Sequence, residues 1–224
     1  MGKFEIEVAV CSFLVIIIVL CIRLIFALPS LKHHQIKTSP LKSIEDKNVM
    51  VLLGSGGHTG EMIRILSGSN TIPKVHNLHF ITSSGDSTSL IHLKKFINET
   101  NIETKTESLE LPRARKVGEG FVSSIISTVK SILFTFIQFS KLKIKPDVLI
   151  VNGPGTSVPI CYYFFLLKFL GIGKTKIIYI ESLARVNDLS LSGKLCYLIS
   201  DRFIVQWNKL QKRYPNSECY GIMV

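Results

Sequence analysis

The sequence predicts an α/β protein, with one parallel-sheet domain behind an N-terminal membrane helix. Three observations predict this class: an apolar run near the N-terminus, an alternation of short β-branched runs with longer helical patterns from residue 49, and glycine-rich turns directly after two predicted strands. The chain of 224 residues is 46% apolar and only 19% charged, below the roughly 25% charged content usual for globular domains. It is therefore membrane-associated or covers much apolar surface, and disorder is excluded as its main state.

The predicted anchor comes first in the chain. Residues 8–28 are 21 positions interrupted by one charge, Arg23, and about 20 apolar residues span a bilayer. Arg23 lies near the end of this run, where a long side chain can reach the lipid headgroups. A cleaved signal peptide is the alternative, but its apolar region is usually only about 7 to 15 residues long. We therefore assign residues 1–28 to a transmembrane anchor.

Flanking charge predicts the orientation of that anchor. Lys3 precedes the apolar run, whereas Lys32, Lys37 and Lys42 follow it, and the more basic flank tends to stay in the cytosol. The five cysteines form no C-x-x-C pair, which agrees with a reducing compartment. The domain is predicted to face the cytosol.

The net charge indicates an anionic partner. In residues 1–28, Lys3 and Arg23 balance Glu5 and Glu7, so the whole +11 belongs to the rest of the chain. Such an excess suits a membrane surface or phosphate groups. Nucleic acid is not predicted as a partner, because the sequence has no zinc-finger spacing and no RNP-like aromatic motif.

The remaining residues read as a basic linker at 29–48 and a Rossmann-like domain at 49–224. Strands are predicted where short runs are rich in β-branched residues, and helices where apolar residues recur at helical spacing. The predicted strands are 49–53, 78–82, 102–109, 148–151, 176–180 and 203–206. The predicted helices are 60–68, 86–98, 120–142, 156–170 and 190–199.

Two of these helices are unusually apolar. Helix 120–142 has one apolar face and is followed by lysines, so it either lies in a membrane interface or packs on the sheet. Helix 156–170 is too short to span a bilayer and is predicted to be a core helix.

Two glycine-bearing loops follow predicted strands. The first, 54–62, reads GSGGHTGEM, in which clustered glycines allow a phosphate to approach the backbone and Gly60 is expected to open a helix. It matches neither the dinucleotide fingerprint nor the P-loop pattern. The second, 152–156, reads NGPGT and also precedes a helix.

Each loop alone could be a tight turn without a ligand, but together they could hold a diphosphate at the carboxyl edge of the sheet. Cations at 111–116 (LPRARK) would suit the same ligand, although a solvated basic loop is an alternative. The predicted diphosphate-binding residues are Gly54, Ser55, Gly56, Gly57, Thr59, Gly60, Arg113, Arg115, Asn152, Gly153, Gly155 and Thr156.

Two titratable residues lie beside these loops. Glu181 ends the fifth predicted strand and His58 lies in the first glycine loop. Either could orient or deprotonate a substrate hydroxyl, and the alternative for each is a hydrogen bond that orders its loop. The sequence contains no D-x-D motif, and no metal ligand or cofactor is predicted.

Taken together, these residues resemble the membrane-anchoring subunits of the eukaryotic two-chain UDP-N-acetylglucosamine transferase, which adds the second GlcNAc to dolichyl-diphosphate-GlcNAc. The resemblance covers nearly the whole chain and is carried by the N-terminal anchor, GSGGHTGEM at 54–62, LPRARKVG at 111–118, NGPGTSVPI at 152–160, YIESLARV at 179–186, LSGKL at 191–195 and the ending YGIMV. A more distant resemblance is to the acceptor-binding half of MurG-type enzymes.

The resemblance implies an inverting glycosyltransferase of GT-B type divided between two chains at the endoplasmic reticulum membrane. This chain would supply the N-terminal, acceptor-side half, and a cytosolic subunit would bind UDP-GlcNAc. One Rossmann-like domain is only half of what such an enzyme needs. The resemblance also implies that the tail docks on the partner through Tyr220, Gly221, Ile222, Met223 and Val224, although the tail could instead join its own sheet edge.

The competing hypothesis is a pure scaffold that recruits a self-sufficient enzyme. A weaker one is a lipid-binding protein with no enzymatic partner. The pattern departs from the family at Asn208, where proline is expected after Trp207, and at Asn187 and Asp188.

Overall fold

The computed structural model describes residues 2–32, 44, 46–69, 72–100, 102, 104–112, 121–142 and 145–224. Its strands are β1 (Asn48–Leu52), β2 (Asn77–Ser83), β3 (Lys105–Leu111), β4 (Val148–Asn152), β5 (Lys176–Ile180), β6 (Arg202–Val205) and β7 (Glu218–Cys219). Its α-helices are α1 (Lys3–Ala27), α2 (Gly57–Ser67), α3 (Ser87–Glu99), α4 (Phe121–Ser140), α5 (Ser157–Phe169), α6 (Leu191–Cys196) and α7 (Asn208–Arg213).

The strands form one parallel sheet in the order β3-β2-β1-β4-β5-β6-β7. Strand order reverses direction at β1, so the loops after β1 and β4 start side by side at the carboxyl edge of the sheet. In open parallel sheets this crevice is where ligands bind.

Two apolar clusters cover the two faces of the sheet. On β1, Met50 and Leu52 join one cluster while Val49 and Val51 join the other, because successive side chains of a strand point to opposite faces. Helices α4, α5 and α6 pack on the first face through Phe139, Phe164 and Cys196. Helices α2 and α3 pack on the second through residues such as Met62 and Phe96.

The predicted fold class is confirmed, and three details of the prediction are wrong. Helix α2 begins at Gly57, so Gly60 lies within its first turn and does not open it. Strand β3 is displaced towards the C-terminus, to Lys105–Leu111. Strand β7 and helix α7 were not predicted, since two and six residues are too few to show a period. Linker residues 33–43 and 45 lie outside the described part of the chain.

Both unusually apolar helices contribute to the core. Helix α5 is buried along most of its length, as predicted. Helix α4 packs on it through Phe139, whose ring centroid lies 5.4 Å from Tyr163 and 5.3 Å from Phe164. Of the two alternatives for α4, packing within the domain is therefore observed. Other apolar side chains of α4 remain exposed.

Helix α1 is long and apolar enough to cross a membrane: its segment Phe4–Ala27 has 24 residues and a mean hydropathy of 3.1. Arg23 differs from the expectation that it reaches lipid headgroups. Its Nε donates to the carbonyl of Phe169 at 2.6 Å and its Nη2 to that of Lys168 at 3.3 Å. The C-terminal end of a helix carries a partial negative charge and attracts a cation, which explains this contact.

Phe164 offers a test of the core. It is 1% exposed between the sheet and the rings of Phe139 and Tyr163. Phe164→Ala is expected to lower the free energy of unfolding by about 3–5 kcal/mol, because it removes buried apolar area and leaves a cavity. Denaturant unfolding of the full chain in detergent measures this, and Ile91→Ala, at an exposed position, is the control. Equal losses of unfolding free energy in Phe164→Ala and Ile91→Ala would contradict the packing described.

Candidate functional site

A cavity of about 370 Å³ lies at the carboxyl edge of β1, β4 and β5. Helix α2 contributes Gly57, His58 and Glu61 to its wall, and the loop after β4 contributes Gly153. The loop after β5 contributes Glu181, Ser182, Ala184, Arg185 and Ser190. The structure therefore brings His58, Glu181 and part of both glycine loops to one cavity.

The two glycine loops touch each other around His58. A Cβ atom on Gly54 would lie 2.7 Å from both His58 Cβ and Pro154 Cγ, and one on Gly153 would lie 2.3 Å from His58 Cε1. No side chain fits in such space, so these two glycines allow the loops to close on the imidazole. Gly56 has φ +62°, a backbone conformation that favours glycine.

Other glycines leave the site open. A Cβ atom on Gly57, Gly60 or Gly155 would meet no atom within 4 Å. Gly57 and Gly155 are exposed beside the N-termini of α2 and α5. Because the dipole of a helix is positive at its N-terminus, this surface favours an anion.

Three predicted phosphate ligands are buried instead. The Thr59 hydroxyl donates to the Gly54 carbonyl and lies 2.5 Å from Ser89 Oγ. Asn152 Nδ2 donates to the His58 carbonyl at 2.7 Å. Thr156 is 9% exposed. Thr59 and the Asn152 amide thus serve to order the first loop.

Three buried polar atoms at this loop pair have no hydrogen-bond partner within the described residues: His58 Nδ1, Asn152 Oδ1 and Thr156 Oγ1. A buried polar atom without a partner is costly. The cluster thus marks a place where a polar ligand would gain hydrogen bonds that the protein itself does not make.

Glu61 is a cavity residue that sequence reasoning missed. Its Oε1 accepts from Ser182 Oγ at 2.9 Å and from the Leu183 N–H at 3.2 Å, so it ties α2 to the loop after β5. Its Oε2 lies 3.7 Å from His58 Nδ1. The spacing of His58 and Glu61, three residues apart on a helix, was the available signal.

Glu181 is fully buried and accepts hydrogen bonds on both oxygens. Oε1 accepts from the Ser182 N–H at 3.1 Å, and Oε2 accepts from the N–H and hydroxyl of Ser190, each at 3.0 Å. Burial raises the pKa of Glu181, and hydrogen bonds from Ser190 and Ser182 offset part of the rise. A Cβ atom on Gly193 would lie 2.1 Å from Oε2. Its contacts are those of a residue that orders the β5 loop.

Arg185 is exposed on the cavity rim and is a cationic residue that the sequence analysis did not select. It follows Glu181 by four residues in the motif YIESLARV. The predicted ligands Arg113 and Arg115 lie outside the described residues.

The C-terminal tail is joined to the site through Gln206. After β7, the Met223 N–H donates to Gln206 Oε1, and Gln206 Nε2 donates to the Glu181 carbonyl, both at 3.2 Å. Tyr220 donates to Glu218 at 2.5 Å. The tail thus follows the edge strand β7 and is held by the Gln206 side chain, while Tyr220 and Ile222 each remain 58% exposed.

The fold and the cavity define a class: a Rossmann-like α/β domain with a polar cavity at the strand-order reversal, carried behind an apolar N-terminal helix. The particular family is shown by comparison. The chain belongs to the Alg14 family, since the family described as "Oligosaccharide biosynthesis protein Alg14 like" matches residues 49–223.

Relatives of similar length carry the name "UDP-N-acetylglucosamine transferase subunit ALG14". One from Candida albicans is 46% identical over 98% of this chain and 100% of its own, and one from Debaryomyces hansenii is 48% identical over 91% and 90%. The relative from Homo sapiens is 37% identical over 80% of this chain and 84% of its own.

Glu181 predicts a pH dependence of stability. Because burial raises the pKa of Glu181, the folded chain holds a proton that the unfolded chain releases above about pH 4.5. The contribution of Glu181 to the stability of the fold therefore falls as the pH rises from about 4.5 through the raised pKa. Glu181→Gln is expected to gain stability relative to the parent chain across that window.

Denaturant unfolding of both chains from pH 4 to 8 checks the difference, and Glu99→Gln, at an exposed residue of α3, is the control. A difference between the Glu181→Gln and parent chains that stays constant with pH would contradict this account of Glu181.

Proposed function

We propose that this chain is the acceptor-side subunit of a divided UDP-GlcNAc transferase that adds the second GlcNAc to dolichyl-diphosphate-GlcNAc. It would act at the endoplasmic reticulum membrane with its domain in the cytosol. The observation that carries the proposal is the cavity where two glycine loops meet at His58, beside two helix N-termini. The names of the relatives support the coarser part of this proposal, a subunit of a UDP-N-acetylglucosamine transferase.

The acceptor diphosphate would lie on the open surface formed by Gly57, Gly60 and Gly155. The positive N-terminal ends of the α2 and α5 dipoles favour an anion there. The Arg185 guanidinium on the cavity rim would add charge-assisted hydrogen bonds. Arg113 and Arg115 would contribute further cations.

The acceptor GlcNAc would extend from the diphosphate into the cavity. Its hydroxyl would lose a proton to His58 as its oxygen attacks the anomeric carbon of UDP-GlcNAc. The bond from that carbon to the diphosphate oxygen of UDP breaks. UDP leaves with the electron pair, and the configuration at the anomeric carbon inverts.

His58 suits this role better than Glu181. The imidazole is partly exposed at the cavity, with 34% of its side chain accessible, and the Glu61 carboxylate lies 3.7 Å away on the same helix. Glu181 instead accepts three hydrogen bonds within its own loop. Glu61 would orient the imidazole, and Glu181 would keep the β5 loop in place.

The nucleotide sugar would be bound by a second, cytosolic subunit with its own Rossmann-like domain. The described residues form one such domain, and two domains facing a cleft are needed to bring both substrates together. The exposed side chains of Tyr220 and Ile222 would dock this subunit next to the strand end that carries Glu181.

A pure scaffold remains the second candidate, because Gly54, Gly153, Thr59 and Glu181 all have contacts inside the protein. Reconstitution separates the two. The full chain, the candidate partner and their mixture are assayed in vesicles for transfer of GlcNAc to a diphosphate-lipid acceptor. A divided enzyme requires both chains; activity of the partner alone would favour the scaffold, and activity of this chain alone would overturn the division.

His58→Ala in the assembled complex is expected to lower kcat by about 10²–10⁴-fold, the contribution usual for a general base. His92→Ala is the matched control, because His92 is an exposed histidine on α3. Co-purification with the partner is measured for both variants. Normal turnover of an assembled His58→Ala complex would remove His58 from the chemistry.

Ile222→Asp is expected to weaken partner binding about tenfold or more, since a charge would enter an apolar contact. Ile91→Asp, which changes an isoleucine of similar exposure on α3, is expected to bind normally. Affinity is measured by titrating labelled partner onto the detergent-solubilised chain. Equal affinities would place the partner surface elsewhere.

A further inference from the structure

Gln206 is a buried side chain that joins the C-terminal tail to the wall of the cavity. It directly follows β6 and is 3% exposed. Its Oε1 accepts from the Met223 N–H and its Nε2 donates to the Glu181 carbonyl, both at 3.2 Å. Because a backbone N–H only donates and a carbonyl only accepts, these partners fix which end of the amide faces the tail. One rigid amide group therefore connects the tail to the strand end that carries Glu181.

The cavity wall depends on this strand end. The loop after β5 forms the wall, with Arg185 on the rim. Trp207, the residue after Gln206, donates from Nε1 to the Leu183 carbonyl at 2.7 Å. Gln206 and Trp207 thus hold the loop at two carbonyls that are two residues apart. A displacement of the chain after β6 would move both carbonyls and, with them, the cavity wall.

The tail is held on both sides of an exposed segment. Before the segment, the Tyr220 hydroxyl donates to the Glu218 carboxylate at 2.5 Å. After it, the Met223 side chain packs against the apolar cluster on the α2 side of the sheet. Between these contacts, Gly221 has φ +81°, which favours glycine, and Ile222 is 58% exposed. A protein bound to Ile222 would therefore limit the positions open to the neighbouring N–H, which donates to the buried amide.

We propose that Gln206 is a positioning residue that couples docking of the partner on the tail to binding of the acceptor in the cavity. The inference rests on the proposed function for both ligands and adds the link between them. Chain ends open at low cost, so without the partner the tail can separate from Gln206. A docked partner would keep the tail in place and the loop after β5 ordered. The acceptor would then pay less to order that loop, and would bind more tightly.

Coupling has a signature that a merely structural role lacks. Two coupled sites change each other's affinity by the same factor. A residue that only supports the loop would weaken acceptor binding equally with and without the partner. A coupling residue changes the ratio of these two acceptor affinities. The same ratio must also appear when partner affinity is measured with and without acceptor.

The ratio is measured with the full chain in detergent. Equilibrium dialysis gives the affinity for a radiolabelled short-chain isoprenyl diphosphate-GlcNAc, with no UDP-GlcNAc present, for the chain alone and for the chain saturated with partner. Partner is expected to tighten acceptor binding at least about fivefold in the parent chain, the lower end of the usual range. Gln206→Leu removes both hydrogen bonds and is expected to bring the ratio close to one. Gln211→Leu, at a half-buried glutamine of α7, is expected to keep it.

A second pair of variants leaves Gln206 in place. Met223→Pro removes the backbone N–H that Gln206 accepts from, whereas Met223→Leu keeps that N–H and an apolar side chain. The ratio is expected to fall close to one in Met223→Pro and to stay at the parent value in Met223→Leu. Unfolding curves in detergent show whether each variant keeps the fold. If Gln206→Leu does not fold, the comparison of Met223→Pro with Met223→Leu decides.

The outcomes separate this inference from the proposed function. A parent ratio of one would overturn the coupling, and so would a parent ratio that Gln206→Leu and Met223→Pro leave unchanged. In both cases the acceptor and the partner would still bind, so the proposed function would stand. An acceptor that binds neither the chain nor the complex would overturn the proposed acceptor site and the coupling with it.

Discussion

The close approach of the loops after β1 and β4 is the contact on which the candidate site depends. Gly54 and Gly153 are the two positions where a side chain would collide with His58 or Pro154. Their closure buries Asn152, whose amide fixes the His58 carbonyl, and aims the imidazole at the cavity. The glycines expected to bind phosphate thus divide into two that close the loops and others, such as Gly57 and Gly155, that leave space for a ligand.

A second network fixes the other wall of the cavity and links it to the tail. Glu181 orders its loop through Ser182 and Ser190, and Ser190 in turn accepts from the Gly193 N–H to start α6. Gln206 connects the Glu181 strand end to Met223. A partner bound at the tail would therefore contact the same hydrogen-bonded unit that shapes the cavity. Under the proposed function, assembly and acceptor binding share one set of contacts.

Sequence patterns predicted the sheet, the apolar N-terminal helix and the meeting of the two glycine loops well, for a physical reason. Buried parallel strands are continuous apolar runs, and their carboxyl ends collect in one place, so motifs after 49–53, 148–151 and 176–180 had to converge. Which residues of the site order its loops, and which leave space for a ligand, could not be predicted in the same way. That Thr59 faces Ser89 and that Glu61 reaches Ser182 depends on how helices rotate over the sheet, which spacing along the chain does not encode.

Arg23 shows the same limit of sequence patterns, and its contact fixes where α1 meets the domain. In the sequence it is one charge in an apolar run, and reaching lipid headgroups is the simplest interpretation of it. In the fold it meets the carbonyls that end α5, where Gly171, with φ +79°, leaves room for it. Helix α5 thus has one end at the glycine loops and the other at the anchor.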